Sequence, residues 1–178
     1  FMREGPLDMR MDLRQKNTAA TLVNRLSEKE LDRILLEFGE ERWHRRIAQR
    51  IAKARKRAPI TTTTQLAELV TRAIPRATLY HRIHPATRIF QALRIAVNQE
   101  LESLDRAIRE ALDFLNPGAR IVIISFHSLE DRIVKTRFRE ASRERRLVIV
   151  TKKPITPTLE EMRENPRSRS AKLRSAEV

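Results

Sequence analysis

His127 and Ser128 are the residues best placed by type and position to act on a ligand. An imidazole holds or transfers a proton near neutral pH, and a hydroxyl donates or accepts a hydrogen bond. Both follow the apolar run Ile121–Ile124, which predicts a strand buried on both faces. Open parallel α/β sheets bind ligands just outside the carboxyl ends of their strands, so this position predicts a ligand-binding rim.

A helix is predicted directly after this rim. The segment Ser128–Asp131 has the form of a capping box, with a hydroxyl to accept a backbone N–H and a carboxylate three residues later. Ser128 is therefore predicted to be the N-cap, while His127 is open to a capping or packing role and to a functional one. A strand followed by a helix is the unit of a parallel sheet, and Leu147–Thr151 is predicted to be a second strand.

A basic surface is the second candidate site. The chain has 37 Lys and Arg residues against 23 Asp and Glu, a net charge of +14, which favours a polyanionic partner. A helix predicted over Glu40–Arg57 has no acidic residue after Glu41. Like charges at i,i+4 destabilise a helix, so we interpret this face as a phosphate contact surface rather than a solvated face. The candidate RNA-binding residues on it are Arg45, Arg46, Arg50 and Lys53.

Several function classes are excluded by composition. The absence of Cys excludes disulfides, thiol nucleophiles and Cys-ligated zinc, and the three glycines are too scattered for a Gly-rich loop. His81 and His84 form an H-x-x-H pair, but no third ligand is suggested nearby, so we expect a surface loop and no metal. No membrane span or signal segment is apparent, and we expect a soluble, cytoplasmic protein. Phe1 is an unusual first residue and predicts that a preceding segment is missing.

The remaining elements divide the chain near Pro85. Before it, capping residues at Ser27 and Thr62 predict further helices and a small bundle. After it, apolar spacing predicts one long helix over Ala86–Leu115. Thr158 is predicted to cap a short helix, and the basic tail is either disordered or a last edge strand.

Five separated stretches of the chain together resemble one protein family. They are GPLDMRMD (Gly5–Asp12), HPATRIFQALRIAVNQEL (His84–Leu101), ISFHSLEDRIVK (Ile124–Lys135), TKKPITPT (Thr151–Thr158) and NPRSRSAKLR (Asn165–Arg174). In sequence and order they resemble the bacterial small-subunit ribosomal RNA cytosine-N4 methyltransferases, also called MraW or RsmH. The resemblance covers nearly the whole chain and is specific, because collinear motifs at consistent spacing do not arise from composition.

The resemblance implies an α/β fold in which an all-α domain is inserted into a partial Rossmann-like methyltransferase domain. Residues 1–12 would be the opening segment of the methyltransferase domain, 13–85 the helical insertion that recognises RNA, and 86–178 the C-terminal half. It implies S-adenosylmethionine-dependent methylation of a cytidine in the decoding region of small-subunit rRNA, within the 30S subunit. In this family the donor-binding turn precedes GPLDMRMD, so no donor-binding residue is assigned here, and the chain alone is expected to be inactive.

The implied chemistry gives roles to several residues. Asp8 and Asp12, which otherwise predict only a surface loop with an ion pair to Arg10, become candidates with His127 and Ser128 for orienting the target base. Arg88, Arg167 and Arg169 are candidates for holding RNA phosphates, because guanidinium groups match phosphate geometry. A non-enzymatic basic RNA-binding protein stays open as the alternative, with a DNA-binding helical module less favoured. The catalytic base and oligomeric state also stay open, a homodimer included.

Overall fold

The computed structural model describes residues 3–75 and 84–178, and the chain divides into two units, residues 1–100 and 101–178. None of the described helices is long and apolar enough to cross a membrane. His81 lies outside the described residues, so the interpretation of the H-x-x-H pair stays a prediction. The described helices are α1 Ala19–Arg25, α2 Glu28–Glu37, α3 His44–Arg55, α4 Thr63–Ala73, α5 Thr87–Asn98, α6 Glu100–Phe114, α7 Ser128–Arg143 and α8 Leu159–Glu164. The described strands are β1 Arg120–Ser125, β2 Val148–Ile149 and β3 Lys172–Glu177.

Two helices of the first unit, α2 and α4, begin at the capping residues that the sequence predicts. At α2 the Ser27 hydroxyl accepts a hydrogen bond from Glu30 N–H at 3.2 Å, and the Glu30 carboxylate accepts one from Ser27 N–H at 2.7 Å. Thr62 and Gln65 form the same capping box at α4. Helix α1, capped by Thr18, is absent from the predictions because its 7 residues are too few to show a helical period.

The core of the first unit is aliphatic and includes the opening segment of the chain. Leu7 is fully buried, its N–H donates to Thr61 O at 2.8 Å, and Thr63 N–H donates to Gly5 O at 3.0 Å. These bonds anchor the opening segment beside the start of α4. The other large, fully buried side chains of this core are Val23, Leu31, Leu35, Ile47, Ile51, Leu66, Val70, Ile89 and Leu93.

The predicted single helix Ala86–Leu115 is wrong. Two helices, α5 and α6, replace it, and Gln99 between them has a left-handed backbone with φ 49° and ψ 43°. The apolar spacing continues through the break, so hydrophobic periodicity gave no sign of it. Asn98, the last residue of α5, holds the opening segment through its side chain, as described below.

The sheet of the second unit is antiparallel, which corrects the prediction of a parallel sheet. Its strand order is β1-β3-β2, and β3 is antiparallel to both neighbours. The C-terminal tail is therefore neither disordered nor an edge strand, because β3 is the central strand. Ala176 is buried, and Arg174 forms a buried ion pair with Asp131. The tail is thus held by strand pairing on both sides and by the ion pair of Arg174.

Among the described residues, strand β1 is covered on one face only, so the prediction of burial on both faces is wrong. Ile121 and Ile123 pack in a cluster with Val134 and Phe138 of α7. Val122 and Ile124, which alternate with them, are each 54% exposed. A continuous β-branched run does not reveal which face has a covering layer, because both faces have the same composition.

Candidate functional site

Asp8 is engaged on both carboxylate oxygens by the guanidinium of Arg10. Arg10 Nε donates to Asp8 Oδ1 at 2.7 Å and Nη2 donates to Oδ2 at 2.8 Å. Arg10 N–H also donates to Oδ1, at 3.2 Å. These hydrogen bonds hold the pKa of Asp8 below its ordinary value. Asp8 is therefore a deprotonated anchor of the loop that contains it.

Asn98, at the end of α5, fixes the backbone that follows Asp8. Its amide nitrogen donates to Met9 O at 2.9 Å and to Arg94 O at 2.8 Å, and its amide oxygen accepts from Met11 N–H at 2.8 Å. Met9 has a left-handed backbone with φ 66°, which is unfavourable for a residue with a side chain and persists where neighbours impose it. Sequence reasoning did not assign Asn98 a role. Its only signal was an amide residue at the end of an apolar-patterned helix.

Asp12 is the more accessible carboxylate of this loop. Its side chain is 42% exposed, and its ion-pair partner Arg14 is 91% exposed. The hydrogen bonds from Arg14 also hold the pKa of Asp12 below its ordinary value. An ion pair this exposed contributes little stability and exchanges readily. The pair of Asp12 with Arg14 is thus a surface contact, whereas the bonds of Asp8 form the loop itself.

His127, and not Ser128, is the N-cap of α7. Its Nδ1 accepts a hydrogen bond from Glu130 N–H at 3.3 Å, and the Glu130 carboxylate accepts from His127 N–H at 3.2 Å and Phe126 N–H at 2.8 Å. Ser128 is the first residue of the helix. The carboxylate of Glu130 closes the capping box on His127, whereas Asp131, three residues after Ser128, pairs with Arg174.

The protonation of His127 follows from this cap. Because Nδ1 accepts, the neutral ring carries its proton on Nε2, which lies 3.3 Å from Glu130 Oε1. The histidine side chain is only 10% exposed. His127 and Ser128 belong to the second unit, and Asp8 and Asp12 to the first.

The basic surface of the first unit lies on α3. The helix is shorter than the predicted Glu40–Arg57, because Trp43 is its N-cap residue and Lys56 its C-cap residue. The four predicted RNA-binding residues of this helix are all exposed: Arg45, Arg46, Arg50 and Lys53. Arg55 differs, since its Nη1 donates to Val23 O at 2.7 Å and ties α3 to α1.

A groove of about 340 Å³ lies between α3 and α4. It is lined by Arg50, Lys53, Arg57 and Arg72, with Ala54 and Leu69. No acidic residue is among these lining residues. Arg57 and Arg72 are not among the four named RNA-binding residues, although Arg57 belongs to the basic stretch Glu40–Arg57 that the sequence predicts to contact phosphate. Arg57 lay at the end of the basic run, and Arg72 on the next helix gave no signal, since only folding brings it across from α3.

A cleft of about 410 Å³ in the second unit, between α6 and α7, has a different balance of charge. Four arginines line it, and four acidic residues line it with them. Arg137 pairs with Asp105 and Glu140, and Arg146 pairs with Asp113. The arginines are Arg106, Arg109, Arg137 and Arg146, and the acids are Glu110, Asp113, Glu140 and Glu144.

The other predicted phosphate-binding arginines are exposed at separate places. Arg88, on α5 in the first unit, donates through Nη1 to Glu40 O at 3.2 Å. Arg167 and Arg169 lie in a 3₁₀ turn, Pro166–Ser170, in the second unit. Ser168 between them is buried and donates to Asn165 O at 2.8 Å, so the two arginines point from a turn with a fixed backbone.

Arg174 has a structural role that sequence reasoning did not assign. Its Nε donates to Asp131 Oδ1 at 2.7 Å and its Nη2 to Oδ2 at 3.2 Å, with Lys172 Nζ 3.6 Å from Oδ2. The Arg174 and Asp131 side chains are 8% and 13% exposed. The hydrogen bond from Arg174 holds the pKa of Asp131 below its ordinary value. This ion pair joins the central strand to α7.

Comparison with known proteins gives consistent matches. A family model described as the MraW methylase family matches residues 1–178. The chain is 55% identical to the ribosomal RNA small subunit methyltransferase H of Pelobacter propionicus, over 99% of this chain and 61% of that protein. The protein of the same name from Persephonella marina is 54% identical, over 99% of this chain and 60% of its own length. The protein of the same name from Rippkaea orientalis is 56% identical, over 99% of this chain and 56% of its own length. The chain thus spans about three-fifths of the length of these curated relatives.

Proposed function

Because the chain belongs to the MraW methylase family, we propose that it is the acceptor-side part of an S-adenosylmethionine-dependent methyltransferase. Its substrate is the exocyclic N4 amine of a cytidine in the decoding region of small-subunit rRNA. The observation that carries this proposal is the family match over residues 1–178. It is supported by the relatives, which are named ribosomal RNA small subunit methyltransferase H, and by the net charge of +14. The 30S subunit is the proposed partner and the cytoplasm the proposed location.

The described residues do not fit a donor site. A Cβ at Gly39 would lie 2.7 Å from Leu35 O and 3.0 Å from Arg88 O, so Gly39 allows close packing of a helix end and does not form an open cradle. Gly5 and Gly118 have no atoms within 4 Å of such a Cβ. We therefore assign the S-adenosylmethionine site to the part of the relatives that this chain does not match, and expect no methyl transfer by this chain alone.

The open face of the sheet supports this assignment. Val122, Ile124 and Phe126 are each 54% exposed, and Val148 is 71% exposed. Val122 and Ile124 alternate with the residues that pack on α7, so they share the opposite face. An apolar sheet face this open is typical of an interaction surface. We assign it to packing against the donor-binding part of the methyltransferase domain.

The chemistry left to these residues concerns the acceptor amine. The lone pair of the cytosine amine is delocalised into the ring, and a carboxylate that accepts an N–H hydrogen bond localises it. Asp12 suits this role best among the candidates, because it is deprotonated, and its partner Arg14 is 91% exposed and exchangeable. Asp8 holds the loop, and His127 with Ser128 starts α7. Residues 13–85 act as the RNA-recognition domain in this proposal, between 1–12 and 86–178 of the methyltransferase domain.

The test compares this chain with a version extended to the full length of the relatives. Isothermal titration with S-adenosylmethionine should show binding to the extended protein only. Incubation with 30S subunits, followed by mass spectrometry of the digested rRNA, should show N4-methylcytidine with the extended protein and none with this chain. Donor binding by this chain alone would contradict the assignment of the donor site. Absence of N4-methylcytidine from 30S subunits treated with the extended, donor-binding protein would contradict the proposed reaction.

A second function is favoured by one observation. The described residues include an exposed cationic surface on α3 and no glycine-built donor cradle, as a non-enzymatic RNA-binding protein would. RNA binding by an extended protein that binds no S-adenosylmethionine would favour this alternative. Light scattering of the same samples would decide between a monomer and the homodimer that we also consider.

A further inference from the structure

We propose that the groove between α3 and α4 binds a nucleotide of single-stranded RNA. Its phosphates would contact Arg50, Lys53, Arg57 and Arg72, and its base or ribose would lie on Ala54 and Leu69. This inference rests on the proposed rRNA substrate and deepens it, because it names a site and the form of RNA that the site takes.

The cations are arranged as a line along one helix face. Arg46, Arg50, Lys53 and Arg57 are spaced at i, i+4, i+7 and i+11, so they share one side of α3 and its C-terminal turn. At a rise of about 1.5 Å per residue, Arg50 and Arg57 are about 10 Å apart along the axis. Arg72 faces them from α4. A strand that follows this line meets a cation at each turn of the helix.

The charge of the groove is not neutralised from within. None of its described lining residues is acidic. Glu68 is an ion-pair partner of Arg72, with a carboxylate oxygen 3.0 Å from Arg72 Nη2, and both side chains are about two-thirds exposed. Ion pairs at such exposure contribute little stability. A phosphate can therefore take the place of Glu68 on Arg72.

The apolar floor favours single-stranded RNA over a duplex. Ala54 and Leu69 lie between the cations and are half-buried. A groove of about 340 Å³ is the size of a small ligand site. In a duplex the bases are stacked inside and only the backbone reaches such a site, whereas an unpaired base can pack on apolar groups and guanidinium planes. An unpaired base can therefore contact Ala54 and Leu69, and a base inside a duplex cannot.

The experiment measures RNA affinity by fluorescence anisotropy with this chain. The probes are a labelled single strand of about 12 nucleotides, the same strand in a duplex, and the same strand with abasic sites at its centre. The groove variant is Arg50→Gln/Arg57→Gln. The matched control is Arg106→Gln/Arg109→Gln, which removes two exposed arginines from α6. Circular dichroism verifies that both variants are folded, since Gln is a good helix former.

The groove variant should lower single-strand affinity by roughly 25-fold at about 0.1 M salt, and should reduce the salt slope by about 1.4, the value for two lost phosphate contacts. The control variant should lose much less affinity for the single strand. The single strand should bind more tightly than the duplex and the abasic strand. Equal losses in the two variants, or equal affinity for the duplex or the abasic strand, would overturn the proposal. The proposed reaction is scored separately, by N4-methylcytidine formation with the extended protein, so either can fail alone.

Discussion

The groove between α3 and α4 and the cleft between α6 and α7 are each lined by four cationic side chains, yet they differ in charge. The described lining of the cleft includes four acidic residues, and that of the groove includes none. In the cleft, Arg137 and Arg146 form ion pairs within the protein. A net charge of +14 therefore does not identify a nucleic-acid surface by itself. The position of cations with few acidic neighbours does, because such cations gain most from an external phosphate.

The largest effect is expected where a cation of the second unit depends on its buried acid. Asp131→Ala leaves Arg174 unpaired at 8% exposure, and should lower the free energy of unfolding by about 3 kcal/mol. Asp113→Ala is the control, since Asp113 is 66% exposed in its pair with Arg146 and should cost less than about 1 kcal/mol. Urea unfolding followed by circular dichroism measures both. Similar small losses would show that Arg174 does not need its partner.

The same ion pair predicts a pH dependence. The pKa of Asp131 is lowered in the folded protein, chiefly by its hydrogen bond to Arg174, so the unfolded chain binds protons more readily. The contribution of Asp131 to stability should be complete above about pH 4 and should be lost as the pH falls through the lower folded-state pKa. Urea midpoints between about pH 6 and pH 3 should fall less steeply for Asp131→Asn than for the unmodified chain. Parallel curves would contradict the prediction.

An acidic residue introduced into the groove between α3 and α4 should give its lining a mixed charge, like that of the cleft between α6 and α7. Lys53→Glu places a carboxylate between Arg50 and Arg57 and changes the charge by two, so single-strand RNA affinity should fall roughly 25-fold at about 0.1 M salt. Stability should change by less than about 0.5 kcal/mol, because the attraction of the new carboxylate to Arg57 is offset by an acid in the last turn of α3. Lys29→Glu on α2 makes the same change of charge away from the groove. If both variants lose equal affinity, overall charge and not the groove governs binding.

Local sequence patterns predicted where several helices begin. They did not predict which faces of the strands are covered by other elements. The boxes at Ser27 and Thr62 involve residues three apart, and the structure confirms both. The box at α7 was predicted one residue late, because Ser128 and His127 each have a carboxylate three residues on. The open face of β1 and the central position of β3 depend on contacts between distant segments. No local pattern shows those contacts.

The same limit applies to the candidate functional residues: exposed cations on one helix were predicted, and contacts between distant segments were not. The basic run on α3 revealed Arg45, Arg46, Arg50 and Lys53 as exposed cations. Arg72 joins that surface only through helix packing. Asn98 escaped notice because a helix-ending amide is common, and its contacts with Met9 and Met11 span a separation of about ninety residues. Roles that depend on such long-range contacts were missed.

Asn98 is a polar residue outside the groove, and its side chain holds the backbone of the opening segment. Asn98→Ala removes its bonds to Met9 O and Met11 N–H and should lower the free energy of unfolding by about 1.5 kcal/mol. RNA affinity should stay unchanged, because the groove is unaffected. Gln91→Ala is the control, since the Gln91 side chain on the same helix donates one hydrogen bond to Phe38 O at 3.3 Å. Fluorescence of Trp43, the single tryptophan of the chain, follows unfolding of the first unit. A change in RNA affinity with Asn98→Ala would contradict the conclusion that Asn98 contributes to stability and not to RNA binding.

The smallest expected effect is at Gln99, which ends α5 in the left-handed region with φ 49°. Glycine adopts this conformation without the steric cost that a Cβ imposes, although it loses more conformational freedom on folding. Because the Gln99 side chain is exposed, little packing is lost, and Gln99→Gly should raise the free energy of unfolding by about 0.5 kcal/mol. Gln99→Ala keeps the Cβ and should give no gain. A loss of stability with glycine would mean that the break between α5 and α6 depends on the Gln99 side chain and not on backbone conformation alone.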